Sequence, residues 1–226
     1  MKLSNKILVA FFGFAFIYLT AVFAEVRLRG TPNIINDSNS IAETVDISGV
    51  AYLVLRDVDY RIDVIGSDHA QLEVRSIAGD LLKMLKHKIS GDTLTLSELH
   101  SEERRMVKIS VFLPKDGLEG ITVNAAEASV KGLAQELLYI SQNAGRIWMS
   151  DNRIGKIHIE ASDKSYLNIL ATDLDTLSAK IDSSEVLISS PVGLLEGSMK
   201  NKSVLRMNDI DEIQFKKDET SRFNLY

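Results

Sequence analysis

The sequence predicts an all-β chain built as a β-solenoid and preceded by one hydrophobic helix. Three observations carry that prediction. From about residue 45 onward apolar residues alternate with polar ones, the period of half-buried strands. From residue 119 onward similar short units, with no helical segment, recur at a near-constant spacing of about 17–20 residues. Small polar turns separate the strands, as the corners of a coil require.

The helix is read first. Lys2 and Lys6 precede an uncharged run over residues 7–24, ILVAFFGFAFIYLTAVFA. That run is long enough to span a bilayer, and Val22-Phe23-Ala24-Glu25 is also an acceptable signal-cleavage site. Residues 1–24 are therefore a signal-anchor or a signal peptide, and either one exports the rest of the chain. Residues 25–44 are polar and weakly patterned and read as a tether.

Residues 45–118 read as a β-rich cap. Val45 and Ile47, Leu53 and Leu55, Ile62 and Val64, and Leu72 and Val74 are spaced as strand pairs, with Ser48-Gly49, Asp57-Val58-Asp59 and Gly66-Ser67-Asp68 between them. Leu81, Leu82, Met84 and Leu85 come after Asp80, a cap for one or two helical turns. Leu94 and Leu96 mark a further strand, and residues 107–113 another that stops at Pro114.

Residues 119–226 hold about six repeats. First-strand apolar positions fall at Ile121, Leu138, Ile157, Leu177, Leu195 and Ile213. Second-strand positions fall at Val130, Ile147, Leu167, Val186, Val204 and Phe223, with Leu205 an alternative to Val204. A third position recurs at Leu133, Ile154, Leu174, Val192 and Ile210. Each unit buries its face only by stacking on its neighbours. A β-sandwich also gives regularly spaced short strands, but it does not demand internal similarity. In the last unit, Lys216, Lys217, Asp218, Glu219 and Arg222 read as charges against fibre growth, and Phe215, Phe223 and Tyr226 as a plug over the core. A monomer or weak dimer is expected.

The segments SGVAYLVLRDVDYRIDVIGSD, SGDTLTLS and VFLPKDGLEGITVNAAEASV, succeeded by stacked units with small-residue corners, resemble the putative auto-transporter adhesin, head GIN domain family. The likeness covers residues 45–226. It implies a β-solenoid in a bacterial envelope and brings no catalytic residues with it.

Composition narrows function. The net charge of −5 suits a soluble exported domain and not a nucleic-acid binder. The chain has no cysteine, so disulfides, thiolate metal sites and a cysteine nucleophile are excluded. No nucleophile elbow, phosphate loop, dinucleotide fingerprint or zinc-protease motif is present. His69, His87, His100 and His158 are scattered, and His158 should face out of the coil. Neither a metal nor a cofactor is expected. Lys83, Lys86 and Lys88, with Arg104 and Arg105, read as solvated rim.

Two constellations remain. Asp173/Asp175 and Asp209/Asp211 occupy like positions two units apart, with Asp151 at a related corner. Two rungs separate carboxylates by roughly 10 Å, which could hold a water between them as an inverting glycosidase does, or a weakly bound Ca²⁺. Aspartate at a β-corner also simply bonds its own backbone. Trp148 and Tyr166 lean outward on neighbouring units with Tyr139 nearby, an aromatic shelf of the kind that grips sugar faces or packs on other strands. The reading is a non-catalytic, extracytoplasmic binding or scaffolding domain, tethered through residues 7–24, with an envelope protein or glycan as partner. The alternative is a carbohydrate-active enzyme that uses the corner aspartates.

Overall fold

The computed structural model describes residues 3–29, 40–77, 79, 81–99 and 107–226. Residues 1–34 and 35–226 form two compact units. The first unit contains helix α1 (Leu3–Arg29). Its described side chains from Val9 to Phe23 are largely exposed, among them Phe11, Phe14 and Phe16. Among the described residues no helix is long and apolar enough to cross a membrane. The side chains at 7, 8 and 10 of the run read from the sequence lie outside the described residues, as do His100, Arg104, Arg105 and Asp80.

The second unit is all β. Its described strands are β1 (Ile41–Asp46), β2 (Tyr52–Ser67), β3 (Gln71–Ser76), β4 (Lys86–Ser90), β5 (Thr93–Leu99), β6 (Val107–Pro114), β7 (Gly120–Lys131) and β8 (Ala134–Asn143). They continue as β9 (Arg146–Ser162), β10 (Tyr166–Asp182), β11 (Glu185–Ile188), β12 (Val192–Lys200), β13 (Val204–Met207), β14 (Ile210–Lys217) and β15 (Arg222–Leu225). The long strands bend at single residues with positive φ, so one strand serves two sides of the coil. Asp57, Glu98, Ala125, Ala144, Asp163, Ser183 and Asn201 all hold left-handed backbone at the corner that closes the first face. Aspartate, asparagine and serine suit such corners because their short polar side chains bond nearby backbone.

Parallel pairing builds three faces. On the first, β5, β2, β7, β8, β9, β10, β12 and β14 stack in that order, and Leu94, Leu53, Ile121, Ile140, Ile159, Ala179, Gly197 and Phe215 form one inward column. On the second, Ile62, Ala128, Ile147, Leu167, Val186, Leu205 and Phe223 form another. The short third face carries Ile154, Leu174, Val192 and Ile210. The β-solenoid of about six turns is thus present, and its core is nearly all aliphatic. Stacking starts ahead of the repeats, since β2 already lies in register beneath β7. The N-terminal end carries antiparallel strands: β1 on β3, β3 on β6, and β4 on β5.

The register of the first unit differs from the sequence reading. Ile121 stands opposite Ile140, not Leu138, and Ala128 rather than Val130 stands opposite Ile147. Gln135, not Leu133, faces Ile154. The cause is the period of a strand: a slip of two residues keeps every side chain on its own side, so alternation alone does not detect it. In β13 the inward residue is Leu205, and Val204 is only half-buried. Leu81 and Leu85 are buried in a single turn closed by Leu85 N–H donating to Leu81 O at 3.0 Å. Phe215 and Phe223 meet with ring centroids 6.3 Å apart, whereas Tyr226 is 76% exposed and plugs nothing.

Buried polar groups are concentrated at the corners. Ser165, Ser184, Ser203 and Ser221 are buried one above another at the first corner. Ser165 Oγ donates to Ser162 O and Ser184 Oγ to Asp182 O, while the backbone N–H groups of Ser165 and Ser184 donate to Ser184 Oγ and Ser203 Oγ. At the next corner Asn152 and Thr172 do similar work, with Asn152 Oδ1 accepting from Leu133 N–H at 3.0 Å. These hydroxyls satisfy backbone groups that the turns take away from the strand ladders.

Candidate functional site

An in-register β-face projects alternate side chains outward in fixed columns, so a surface site is set by which residues share a column. On the second face Trp148 (β9) projects beside Asn168 (β10), and Tyr166 opens β10 beside Arg146 and Glu185. The two rings are diagonal neighbours with centroids 6.2 Å apart and planes tilted by 53°. Both are half-buried.

Beside them the corners differ in length. Residues 162–165 and 200–203 each place two residues in left-handed backbone, Asp163 with Lys164 and Asn201 with Lys202. The corner between them, at Ser183, is one residue shorter and uses a single left-handed residue. Lys164 and Lys202 therefore flank a notch, whose other walls include Arg146, Trp148, Tyr166 and Glu185, enclosing about 630 Å³. Arg146 is paired with Glu127 at 3.1 Å and Glu185 with Arg206 at 2.8 Å.

Tyr139 lies elsewhere. It is on the first face, 50% exposed, with His158 stacked on it at 5.0 Å and 8°. Its column runs Tyr52, Gly120, Tyr139, His158, Ser178, Glu196. The Tyr52 ring leans over Gly120, where a side chain would meet it at 3.0 Å. Tyr52 Oη donates to Glu119 Oε2 at 2.5 Å, and that bond raises the phenol's pKa. The result is a second aromatic surface, in a depression of about 640 Å³. Lys156 bridges to Glu196 at 2.9 Å along its edge, and Lys156 with Ser178 lowers the pKa of Glu196.

The structure thus brings Trp148 and Tyr166 together and sets Tyr139 apart with His158 and Tyr52. Sequence reasoning misses Tyr52 because its partner Glu119 is 67 residues away along the chain. Gly120 could have revealed it, as a glycine between two tyrosines in one column.

The corner aspartates all face solvent. Asp173 and Asp209 share a column two rungs apart, with Pro191 between them. Asp173 and Asp175 border a depression with Asp116, Glu136, Arg153 and Leu137, and no aromatic ring lines it. Asp151 holds left-handed backbone and its carbonyl accepts from Gly132 N–H, a corner role. The described histidines do not meet one another: His69 stacks on Phe112 and His87 approaches Leu85 O. Among the described residues no group of three or more His, Asp or Glu side chains could hold a metal ion. Lys86 is paired with Glu98.

No family model matches the chain, and no curated protein matches it. Solved structures do. A putative adhesin from Parabacteroides distasonis is similar at a TM-score of 0.60 and 12% identity, over 84% of this chain and 94% of that one. A putative adhesin from Bacteroides fragilis is similar at a TM-score of 0.58 and 12% identity, over 86% of this chain and 100% of that one. A putative lipid binding protein from Parabacteroides distasonis is similar at a TM-score of 0.51 and 12% identity, over 85% and 99%. At these identities the likeness shows the fold.

Proposed function

We propose that this chain is a non-catalytic, adhesin-like binding domain of a bacterial envelope, held at a membrane through residues 7–24 with the solenoid outside the cytoplasm. The observation that carries it is the Trp148–Tyr166 pair, two rigid rings presented on an in-register β-face beside an open notch. Further points support the reading. The uncharged run 7–24 suits an anchor. The fold is shared with putative adhesins. The acids that would serve a glycosidase stand exposed at corners without an aromatic cleft. The sequence also resembles the putative auto-transporter adhesin, head GIN domain proteins, which favours the same role.

The test uses the tagged full chain in its host cells. We expect it to fractionate with membranes, with its C-terminus cut by protease added from outside the cytoplasm. Trp148→Ala combined with Tyr166→Ala should leave fractionation unchanged and reduce co-purification of envelope glycan or protein about tenfold. A full-length product in the soluble cytoplasmic fraction, or undiminished co-purification by the double variant, sinks the reading.

A further inference from the structure

We infer that the notch between Lys164 and Lys202 binds an acidic sugar, a pyranose bearing a carboxylate, with its ring against Trp148 and Tyr166 and its carboxylate between the two ammonium groups. This deepens the binding-domain reading and rests on it.

The notch has the right shape. Lys164 and Lys202 sit on corners two rungs apart, roughly 10 Å at the backbone, and the shorter corner at Ser183 leaves the space between them open. The longer corners are fixed from the next rung: Lys164 N–H donates to Ser183 O at 2.9 Å and Lys202 N–H to Thr220 Oγ1 at 2.9 Å. The lysine backbones are thus held in place, and only their side chains must order when a ligand enters.

Its charge also fits. The chain as a whole is acidic, at −5. The notch is not: Arg146, Lys164 and Lys202 line it against Glu185 alone, and Glu185 is already matched by Arg206. Arg146 is matched by Glu127. Lys164 and Lys202 remain, and among the described residues neither is part of an ion pair. Two unpaired ammonium groups across a small concavity fit one carboxylate between them.

The wall selects a sugar over a simpler anion. A sugar ring has an apolar face of C–H groups and a rim of hydroxyls, and aromatic side chains hold the former while polar groups meet the latter. Trp148 and Tyr166 supply the wall. A bare phosphate would use the lysines and leave the rings idle.

Trp148 is the chain's one tryptophan, so intrinsic fluorescence reports directly on the notch. The full chain in mild detergent is titrated with oligomers of glucuronic acid, with oligomers of glucose, and with inorganic phosphate. The acidic oligomer should shift Trp148 emission and bind about tenfold or more tightly than the neutral one, less so as salt rises. Lys164→Gln with Lys202→Gln should erase that preference without moving the melting temperature, and Tyr166→Ala should weaken both oligomers. Equal binding of the two oligomers, an unaffected lysine double variant, or a phosphate response that matches the glucuronate response overturns the inference. If no sugar binds while Trp148 and Tyr166 still govern envelope co-purification, the inference falls and the broader reading stands. If that co-purification also fails, the reading itself falls.

Discussion

Two columns of small polar residues run up this solenoid, and they serve opposite ends. At the corner that closes the first face, Ser165, Ser184, Ser203 and Ser221 turn inward and are buried. Beyond the corner that closes the second face, Asp173 and Asp209 turn outward into water. Ser165, Ser184 and Ser203 satisfy backbone groups stranded by the turn, whereas the aspartates tolerate their position without being needed there. The difference shows how a repeat distributes its polar residues. A regular column of hydroxyls is part of the scaffold, and a regular column of acids at a corner is not by itself a site.

Breaking the inward column should have the largest effect. Ser203 is fully buried. Its Oγ donates to Lys200 O and accepts from Ser184 N–H at 3.4 Å. Ser203→Ala strands Ser184 N–H in a dry corner and leaves Lys200 O with Ser183 N–H as its remaining donor, so we expect about 2 kcal/mol of lost stability, a fall of roughly 4–8 °C in melting temperature. Thermal unfolding followed by circular dichroism would show it. A shift under about 1 °C would mean that the column is decoration and that the strand ladders alone fix the corners.

The next test sharpens the comparison, because one outward acid breaks the rule. The Asp218 carboxylate accepts from Asn201 N–H at 2.8 Å and Ser221 N–H at 2.9 Å. Hydrogen bonds from Ser221 and then from Asn201 hold its pKa down at about 2, against 3.8 ordinarily. A depressed folded-state pKa stabilises the fold above the ordinary value, and that help is lost as pH falls from 3.8 towards about 2. Asp218→Asn should therefore melt below the parent chain at about pH 6, with the gap closing between about pH 4 and about pH 2. A gap that stays constant through that range would rule out the carboxylate's charge as the cause.

The solenoid is legible in the sequence because alternation and repeat length are both properties of one strand at a time. Register is not, because Ile121 pairs with Ile140 only once the slip of two residues is resolved, and Leu138 is equally inward. The same limit governs the surface. Trp148 and Tyr166 are readable as neighbours because consecutive coils carry them. Closeness in sequence groups Tyr139 with them, although a corner separates their faces. Tyr52 reaches Tyr139's surface because β2 stacks beneath β7, after the chain has made β3 to β6 in between. The lysine notch depends on one corner being a residue shorter than its neighbours, a difference invisible until the rungs are aligned.

The smallest effect is expected where the sequence draws most attention. Asp173→Asn and Asp209→Asn, alone or together, should leave the melting temperature within about 2 °C of the parent, because exposed substitutions away from caps and buried networks usually fall within about 0.5 kcal/mol of no change. The two acids stand two rungs apart with Pro191 between them, and the depression beside Asp173 offers no ring to hold a sugar. A general acid or base needs its substrate within hydrogen-bond reach, and losing one commonly costs about 10²–10⁴ in rate. The parent chain and both variants would be incubated with a panel of soluble polysaccharides and their reducing ends counted. Equal, background-level release from all three keeps the outward column silent. Release by the parent that drops about a thousandfold in either variant would turn the comparison around, making the outward column the site and the Trp148–Tyr166 face its accessory.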